Sequence, residues 1–196
     1  CDMSSDIFSR KIDAKQFSLI YAGAQKNMGP AGATMIMIRK DFLNKSKSGL
    51  LTMLDYKTHV KNGSMFNTPP VFPVYVVMLT LRWLKKIGGV SAIEKINEQK
   101  AKLLYDEIDR NSLFEGTVIE KNDRSTMNVC FRLKDEKLEP EFDKMWKEAN
   151  ISGIRGHRDV GGYRASLYNA LPLESVKVLV EVIQEFEINL LNKNEY

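Results

Sequence analysis

The sequence predicts an α/β layer built on a mostly parallel sheet, followed by a smaller α+β domain. Three observations carry that prediction. Phe17–Ala22 and Thr34–Arg39 are short, nearly continuous apolar runs, the pattern of strands covered on both faces. Gly88-Gly89 marks a change of composition and rhythm, dividing residues 1–88 from residues 89–196. Beyond it, amphipathic helical patterns alternate with short strands whose apolar residues fall at every second position.

Taken in order, Asn27–Gly32 is expected to turn the chain between the first two strands, and the polar Asp41–Gly49 to loop outward. His59–Pro70 is expected to be irregular, because Asn62-Gly63 and Pro69-Pro70 break regular structure. A helix should run from about Val71 to Ile87 and stop at Gly88-Gly89. Val71–Leu84 is the most apolar stretch; Pro73 and Arg82 interrupt it, so it reads as a buried helix rather than a membrane span. Ser91 precedes a long helix with Ile93, Ile96, Leu103, Leu104 and Ile108 on one face. Thr117–Glu120 and Met127–Leu133 read as strands, and in the second Met127, Val129, Phe131 and Leu133 alternate to one side. Pro140 opens a helix whose Phe142, Met145, Trp146 and Ala149 share a face. Ile151–Ile154 and Arg164–Tyr168 are short strand candidates around a glycine-rich turn. The last helix turns Val176, Leu179, Val180, Ile183, Phe186 and Leu190 inward.

Bulk properties narrow the function classes. Among 196 residues, 43% hydrophobic content is enough for a real core, and 28% charged residues with a net charge of +4 suit solvated helical faces. Lys85-Lys86 and Lys45-Ser-Lys47 are too short for a nucleic-acid tract, and no aromatics interleave with them. No apolar run reaches a membrane span, so neither nucleic acid nor membrane is expected as a partner. Cys1 and Cys130 give no disulfide framework, which points to a reducing compartment, the cytoplasm. With His59 and His157 they do not make a zinc site, so no metal is expected. The chain opens on Cys-Asp-Met-Ser-Ser, with nothing before Asp2 to position it, and is expected to be a fragment.

Four features carry possible chemistry: Asp2 with Ser4 and Ser5, Lys26 after Gln25 in YAGAQKNMGPAG (21–32), Asn67-Thr68-Pro69-Pro70, and GHRDVGGYRASLYNA (156–170). Each also has a plain reading. Lys26 is either a solvated surface lysine or an amine kept partly dehydrated and so able to form a Schiff base. Asp2 is an exposed acid or a functional one; NTPP is a capped turn or a ligand loop. His157 and Arg158 are surface residues or anion binders, and Arg164 is paired structurally or grips a carboxylate. Together they form the kit of a pyridoxal phosphate enzyme: an amine for the aldehyde, a carboxylate for the ring nitrogen, donors for the phosphate. An arginine clamps the substrate carboxylate in two-pronged fashion. Spacing alone leaves both sets of readings open. GPAG (29–32) lacks the lysine and hydroxyl of a nucleotide-binding loop.

The runs DMSS (2–5), YAGAQKNMGPAG (21–32), NGSMFNTPP (62–70), KINEQKA (95–101) and GHRDVGGYRASLYNALPLESV (156–176) resemble the phosphoserine aminotransferase family. That family lies among the fold-type I, class V aminotransferases, which depend on pyridoxal 5'-phosphate. The resemblance runs the length of the chain. It implies that residues 1–88 are the C-terminal part of a large cofactor-binding domain and residues 89–196 a small α+β domain. Lys26 would hold the cofactor aldehyde as a Schiff base and shuttle the proton between substrate Cα and cofactor C4′. Asp2 would keep the pyridine nitrogen protonated, and Gln25 would contact the phosphate. Asn67 and Thr68 would reach a phosphate bound in the neighbouring subunit of a homodimer. Arg164 would grip the α-carboxylate, and His157 and Arg158 would favour a substrate phosphate or side-chain carboxylate, again in the neighbouring subunit's site.

The implied reaction passes the amino group of L-glutamate to 3-phosphohydroxypyruvate, giving 2-oxoglutarate and O-phosphoserine in serine biosynthesis. The phosphohydroxythreonine analogue, on the way to pyridoxine, is a second implied substrate. Cysteine desulfurases resemble the fold but carry His-Lys where this chain has Gln25-Lys26, and they need a cysteine on a mobile loop, whereas Cys130 lies in a predicted strand. Two alternatives stand beside this reading: another class V aminotransferase, or a folding or interaction module without catalysis. The family's N-terminal half, with its phosphate loop and ring-stacking aromatic, has no counterpart in these residues.

Overall fold

The computed structural model describes residues 1–47 and 49–193. Ser48 in the expected polar loop and Asn194–Tyr196 of the expected small domain lie outside the described residues. The chain forms two compact units that divide between Ala92 and Ile93, each taken here by itself.

In the first unit, β1 (Leu19–Gly23) and β2 (Thr34–Ile38) pair antiparallel, Leu19 opposite Ile38 and Gly23 opposite Thr34. The parallel step among the described residues is a bridge between Asp2 and Tyr21. Met3 donates its N–H to the Tyr21 carbonyl at 2.8 Å, and Tyr21 donates to the Cys1 carbonyl at 3.0 Å. Met3, Ile7, Ile20, Ala22, Ala24 and Met28 make a small buried cluster. The expected polar loop instead contains a short helix, α1 (Lys40–Asn44). Likewise His59–Lys61 belong to α2 (Tyr56–Lys61), because Asp55 caps it by accepting the Lys57 N–H at 3.0 Å. The chain becomes irregular from Asn62, with Gly63 and Ser64 both at positive φ.

Helix α3 (Val71–Lys86) runs as expected, and Gly89, at φ +73°, donates its N–H to the Leu84 carbonyl at 2.9 Å to end it. Its expected burial is corrected. Leu84 is the buried residue of the helix, while Val71 and Phe72 are each 69% exposed and Tyr75 is 54% exposed. The reason is supply of surface: two strands and two short helices offer too little apolar area to cover the whole circumference of an apolar helix. One side does pack, with Val77 and Pro73 against Gly29 and Gly32 of the turn after β1.

The second unit holds an antiparallel sheet, β3 (Phe114–Gly116), β4 (Asn128–Leu133) and β5 (Tyr163–Ser166), with β4 central. Val129, Phe131 and Leu133 of β4 are buried, with Met127 just before it, as their alternation predicts. They pack with the inner stripes of α4 (Val90–Arg110), α5 (Glu139–Glu148) and α6 (Leu173–Lys193). Phe142 is the centre, its ring 4.9 Å from Phe114 and 5.0 Å from Tyr163 edge to face. Each such buried aromatic or aliphatic side chain contributes about 1.5–3 kcal/mol.

Two expected strands are not strands. Thr117–Glu120 leaves the sheet after Thr117 because Arg124 takes the Val118 carbonyl at 3.0 Å and anchors on Asp109 at 2.8 Å; Ile119 is 83% exposed. Ile151–Ile154 is interrupted by Gly153 at φ +72°, and only its end touches β5, through Arg164 N–H to the Ile154 carbonyl at 2.7 Å.

The inner stripe of α4 also differs from expectation: Ile96 is partly exposed, while Asn97, Lys100 and Glu107 are buried beside Ile93, Leu104 and Ile108. Lys100 Nζ donates to the carbonyls of Leu167 at 3.0 Å, Tyr168 at 3.0 Å and Leu171 at 3.1 Å, and so fastens the segment that leaves β5. Burial pushes its pKa down to about 8. Lys100→Met strips three carbonyls of their donor and is expected to cost about 2 kcal/mol of stability at neutral pH, read from the urea midpoint. From about pH 8 to 10.5 the folded state holds fewer protons at Lys100 than the unfolded state. The residue's contribution therefore rises with pH across that window, and the variant loses that slope.

Candidate active site

The first unit gathers Asp2, Gln25 and Lys26 around the exit of β1. Ser4 is the connector. Its N–H and hydroxyl both donate to Asp2 Oδ1, at 2.8 and 2.6 Å, and its oxygen accepts the Gly23 N–H at 3.0 Å. The Asp2 carboxyl is held below the usual carboxylate range by the Ser4 hydroxyl first, then the Ser4 N–H, with smaller help from the Tyr21 hydroxyl and the charge of Lys26. Tyr21 is pushed up in turn, chiefly by the Asp2 charge.

The turn that follows is tied down by Asn27, whose side-chain amide donates to the carbonyls of Ser5 at 2.9 Å and Ile7 at 3.1 Å. Lys26 stands exposed on it, its Nζ donating to the Ser5 hydroxyl at 2.9 Å. The Gln25 carboxamide folds back over Gly23, close enough that a Cβ there would push it aside.

Asn67 and Thr68 are exposed in the irregular run before α3, where the Asn67 amide donates to the Thr68 carbonyl at 3.1 Å. Neither makes a hydrogen bond to Asp2, Gln25 or Lys26 among the described residues. In the second unit, Arg164 lies on β5 opposite Cys130, on the face turned away from the core. Its guanidinium has no hydrogen-bond or ion-pair partner among the described residues, which leaves its two-pronged donor edge free. His157 and Arg158 are exposed on the glycine-rich loop, both beside Asp159, at 3.5 and 3.6 Å. Cys130 is pushed up by burial, with Arg164 pulling it weakly the other way, so it is poorly suited to act as a thiolate.

The sequence marks Ser4 and Ser5 only as neighbours of Asp2, Asn27 only as the start of a turn, and gives Gly23 no role of its own. A hydroxyl two residues beyond an acid is the short-range signal for the Asp2–Ser4 pair. No local pattern announces the contact from Ser4 to Gly23.

Asp2 and Lys26 thus set a stabilised carboxylate and a reachable amine at one strand exit of the first unit, while in the second unit the Arg164 guanidinium has no partner among the described residues. The profile of the class-V aminotransferase family matches residues 1–179, and the chain belongs to that family. Within it, the chain is 62% identical over 187 residues to the phosphoserine aminotransferase of Flavobacterium psychrophilum, covering 95% of this chain and 52% of the relative. It is 57% identical to that of Parabacteroides distasonis, over 95% of this chain and 53% of the relative. Among solved structures, the phosphoserine aminotransferase from Bacillus circulans subsp. alkalophilus superposes with a TM-score of 0.91 at 47% identity, over 96% of this chain and 52% of that one. A PLP-bound phosphoserine aminotransferase from Trichomonas vaginalis gives 0.86 at 38% identity, over 93% and 52%. The chain spans about half the length of the curated relatives it matches.

Ser4→Ala is expected to raise the Asp2 pKa towards the ordinary carboxylate value, since it removes the main hydrogen bond that favours the charged form. A carbon NMR titration of the Asp2 side-chain carboxyl measures this directly. An unchanged titration would show that the Ser4 hydroxyl does not hold the charge.

Proposed function

We propose that the protein carrying this chain is a phosphoserine aminotransferase that moves the amino group of L-glutamate to 3-phosphohydroxypyruvate, yielding 2-oxoglutarate and O-phosphoserine. The observation that carries the reading is the joining of Asp2 and Lys26 at one strand exit through Ser4, Ser5 and Gly23. Similarity to phosphoserine aminotransferases over nearly the whole chain supports it.

The residues fit pyridoxal 5'-phosphate. Asp2 is stabilised as a carboxylate, the form needed beside a protonated pyridine nitrogen, and Lys26 is held by a single hydroxyl that gives way to a covalent partner. When bound, the cofactor supplies an aldehyde that condenses with amines and a ring that accepts electrons. Lys26 offers the amine that retains it and then carries the proton removed from the substrate Cα. Gln25, Asn67 and Thr68 donate to the phosphate group, the last two across a homodimer axis. Arg164 takes the α-carboxylate with two parallel N–H donors, and His157 and Arg158 meet the anionic end of the side chain.

In this reading residues 1–88 complete a large cofactor-binding domain and residues 89–196 form the small one. The enzyme works in the cytoplasm, without nucleic acid or membrane; no described helix is long and apolar enough to cross one. Phosphohydroxythreonine is a second substrate of the same chemistry.

Borohydride reduction after adding pyridoxal phosphate, followed by peptide mapping, is expected to label Lys26 in the enzyme, and Lys26→Ala to abolish transamination while leaving the fold intact. A label elsewhere, or retained turnover, sinks the assignment. No label on the isolated chain alongside a label on the enzyme would favour the non-catalytic reading for the isolated chain alone. Arg164→Lys keeps the charge but loses the fork, and should raise KM for glutamate about tenfold or more. Unchanged KM would remove Arg164 from the carboxylate.

A further inference from the structure

His157 and Arg158 sit on a loop, residues 156–162, whose two roots meet at one partly buried acid, Asp143. Arg155 precedes the loop and Tyr163 follows it. Asp143 of α5 receives both: its Oδ2 accepts from Arg155 Nε at 2.9 Å and from a terminal Arg155 nitrogen at 2.6 Å, and its Oδ1 accepts the Tyr163 hydroxyl at 3.1 Å. Trp146 Nε1 adds a donor to Oδ1 at 3.0 Å, and Arg155 also pairs with Glu139 and lies over the Tyr163 ring, 5.0 Å from its centroid. Burial pushes Asp143 up, but the bonds from Trp146, Arg155 and Tyr163 outweigh it and keep the carboxyl below its usual range.

The loop itself is closed tightly. Gly156 donates to the Gly162 carbonyl at 2.8 Å, and a Cβ on Gly156 would overlap the Gly161 carbonyl oxygen. Val160 and Gly161 donate to the His157 carbonyl at 2.9 and 2.8 Å. The Asp159 N–H lies 3.2 Å from His157 Nδ1 and ties the ring back to the loop. Exposed Arg158 and His157 pay side-chain entropy whenever they order on a ligand, and a rigid loop keeps that cost down.

We propose that Asp143 is a positioning residue for anion recognition: by clamping Arg155 and Tyr163 it sets the loop's two roots, and so aims His157 and Arg158 at the doubly charged phosphate of an amino-acid substrate. This rests on the reading that His157 and Arg158 bind that phosphate. Asp143 touches no substrate; it acts through the loop.

The test is competitive inhibition of the assembled enzyme by two probes. Inorganic phosphate reports on His157 and Arg158, and acetate reports on Arg164. Asp143→Asn keeps an acceptor for Trp146 and Tyr163 but turns an N–H donor towards Arg155. Inhibition by phosphate is expected to weaken about tenfold, the loss of one aligned charge-assisted contact. Inhibition by acetate and kcat at saturation are expected to stay within about twofold of the parent. Arg155→Gln should give the same split and stands in if Asp143→Asn does not fold. Equal weakening for both probes, no weakening for phosphate, or loss of folding in both variants overturns the proposal, because Asp143 would then serve the unit's fold or nothing at the loop. The paired substitution His157→Ala with Arg158→Ala separates the two levels. If phosphate inhibition survives it, the underlying phosphate reading fails too; if inhibition is lost there but normal in Asp143→Asn and Arg155→Gln, only the positioning role fails.

Discussion

The geometry of the first unit depends on the register in which residues 1–3 lie along β1. Met3 N–H to the Tyr21 carbonyl and Tyr21 N–H to the Cys1 carbonyl make a short parallel ladder, and side chains alternate across it. Met3 therefore enters the cluster with Ile20 and Ala22, while Asp2 comes out beside Tyr21. Ser4 then reaches the Gly23 N–H, and Asn27 carries the turn back onto Ser5 and Ile7. A slip of one residue would bury Asp2 and expose Met3, so the apolar cluster selects the register and the register places the acid. Core packing and the placement of Asp2 are thus linked through backbone pairing.

The second unit solves a different problem: holding polar side chains inside an apolar core. Glu107 accepts from Asn111 at 3.0 Å and Gln184 at 2.8 Å, and Glu187 accepts the Ser112 N–H at 2.6 Å and an Arg110 nitrogen at 3.0 Å. Lys100 finds three carbonyls. Buried charge is tolerated only when satisfied in this way, and here the satisfaction joins α4 to α6 and to the segment after β5. Tyr163 and Ala165 point into the core and Arg164 does not, so the strand that anchors the sheet also presents the free guanidinium.

How much of this was legible in the sequence follows from how local each cause is. The alternation in β4 and the stripes of α5 and α6 come from one period over many residues, and they were read correctly. Lys100 escaped because an apolar stripe is counted by its hydrophobes, although Ile93, Lys100 and Leu104 share a helical face. Thr117–Glu120 has strand composition, but the chain there obeys Arg124 and Asp109, partners visible only once α4 and the loop after β3 are folded. The expected burial of α3 assumed a cover that composition cannot supply. At the candidate site Asp2 and Lys26 stood out by residue type and by resemblance, whereas Ser4 on Gly23 requires the register. Nothing local marks Asp143, since its loop-root partners Arg155 and Tyr163 lie twelve and twenty residues away.

The contrast between the units bears on where precision comes from. The second unit has an extensive apolar core; the first has a small one, a strand pair of a kind that is marginal alone, and a helix with Phe72 and Tyr75 in water. Each such side chain forgoes roughly 2 kcal/mol that burial would contribute. Yet the acid and the amine lie in this thinner unit. Their placement rests on short, directional hydrogen bonds to Ser4, Ser5 and Gly23, whose geometry is set by covalent neighbours within the same turn and ladder. Directional bonds hold an angle; apolar contact holds only a distance. The carboxylate and the amine are therefore oriented by hydroxyl and backbone donors, on a register that the apolar cluster selects.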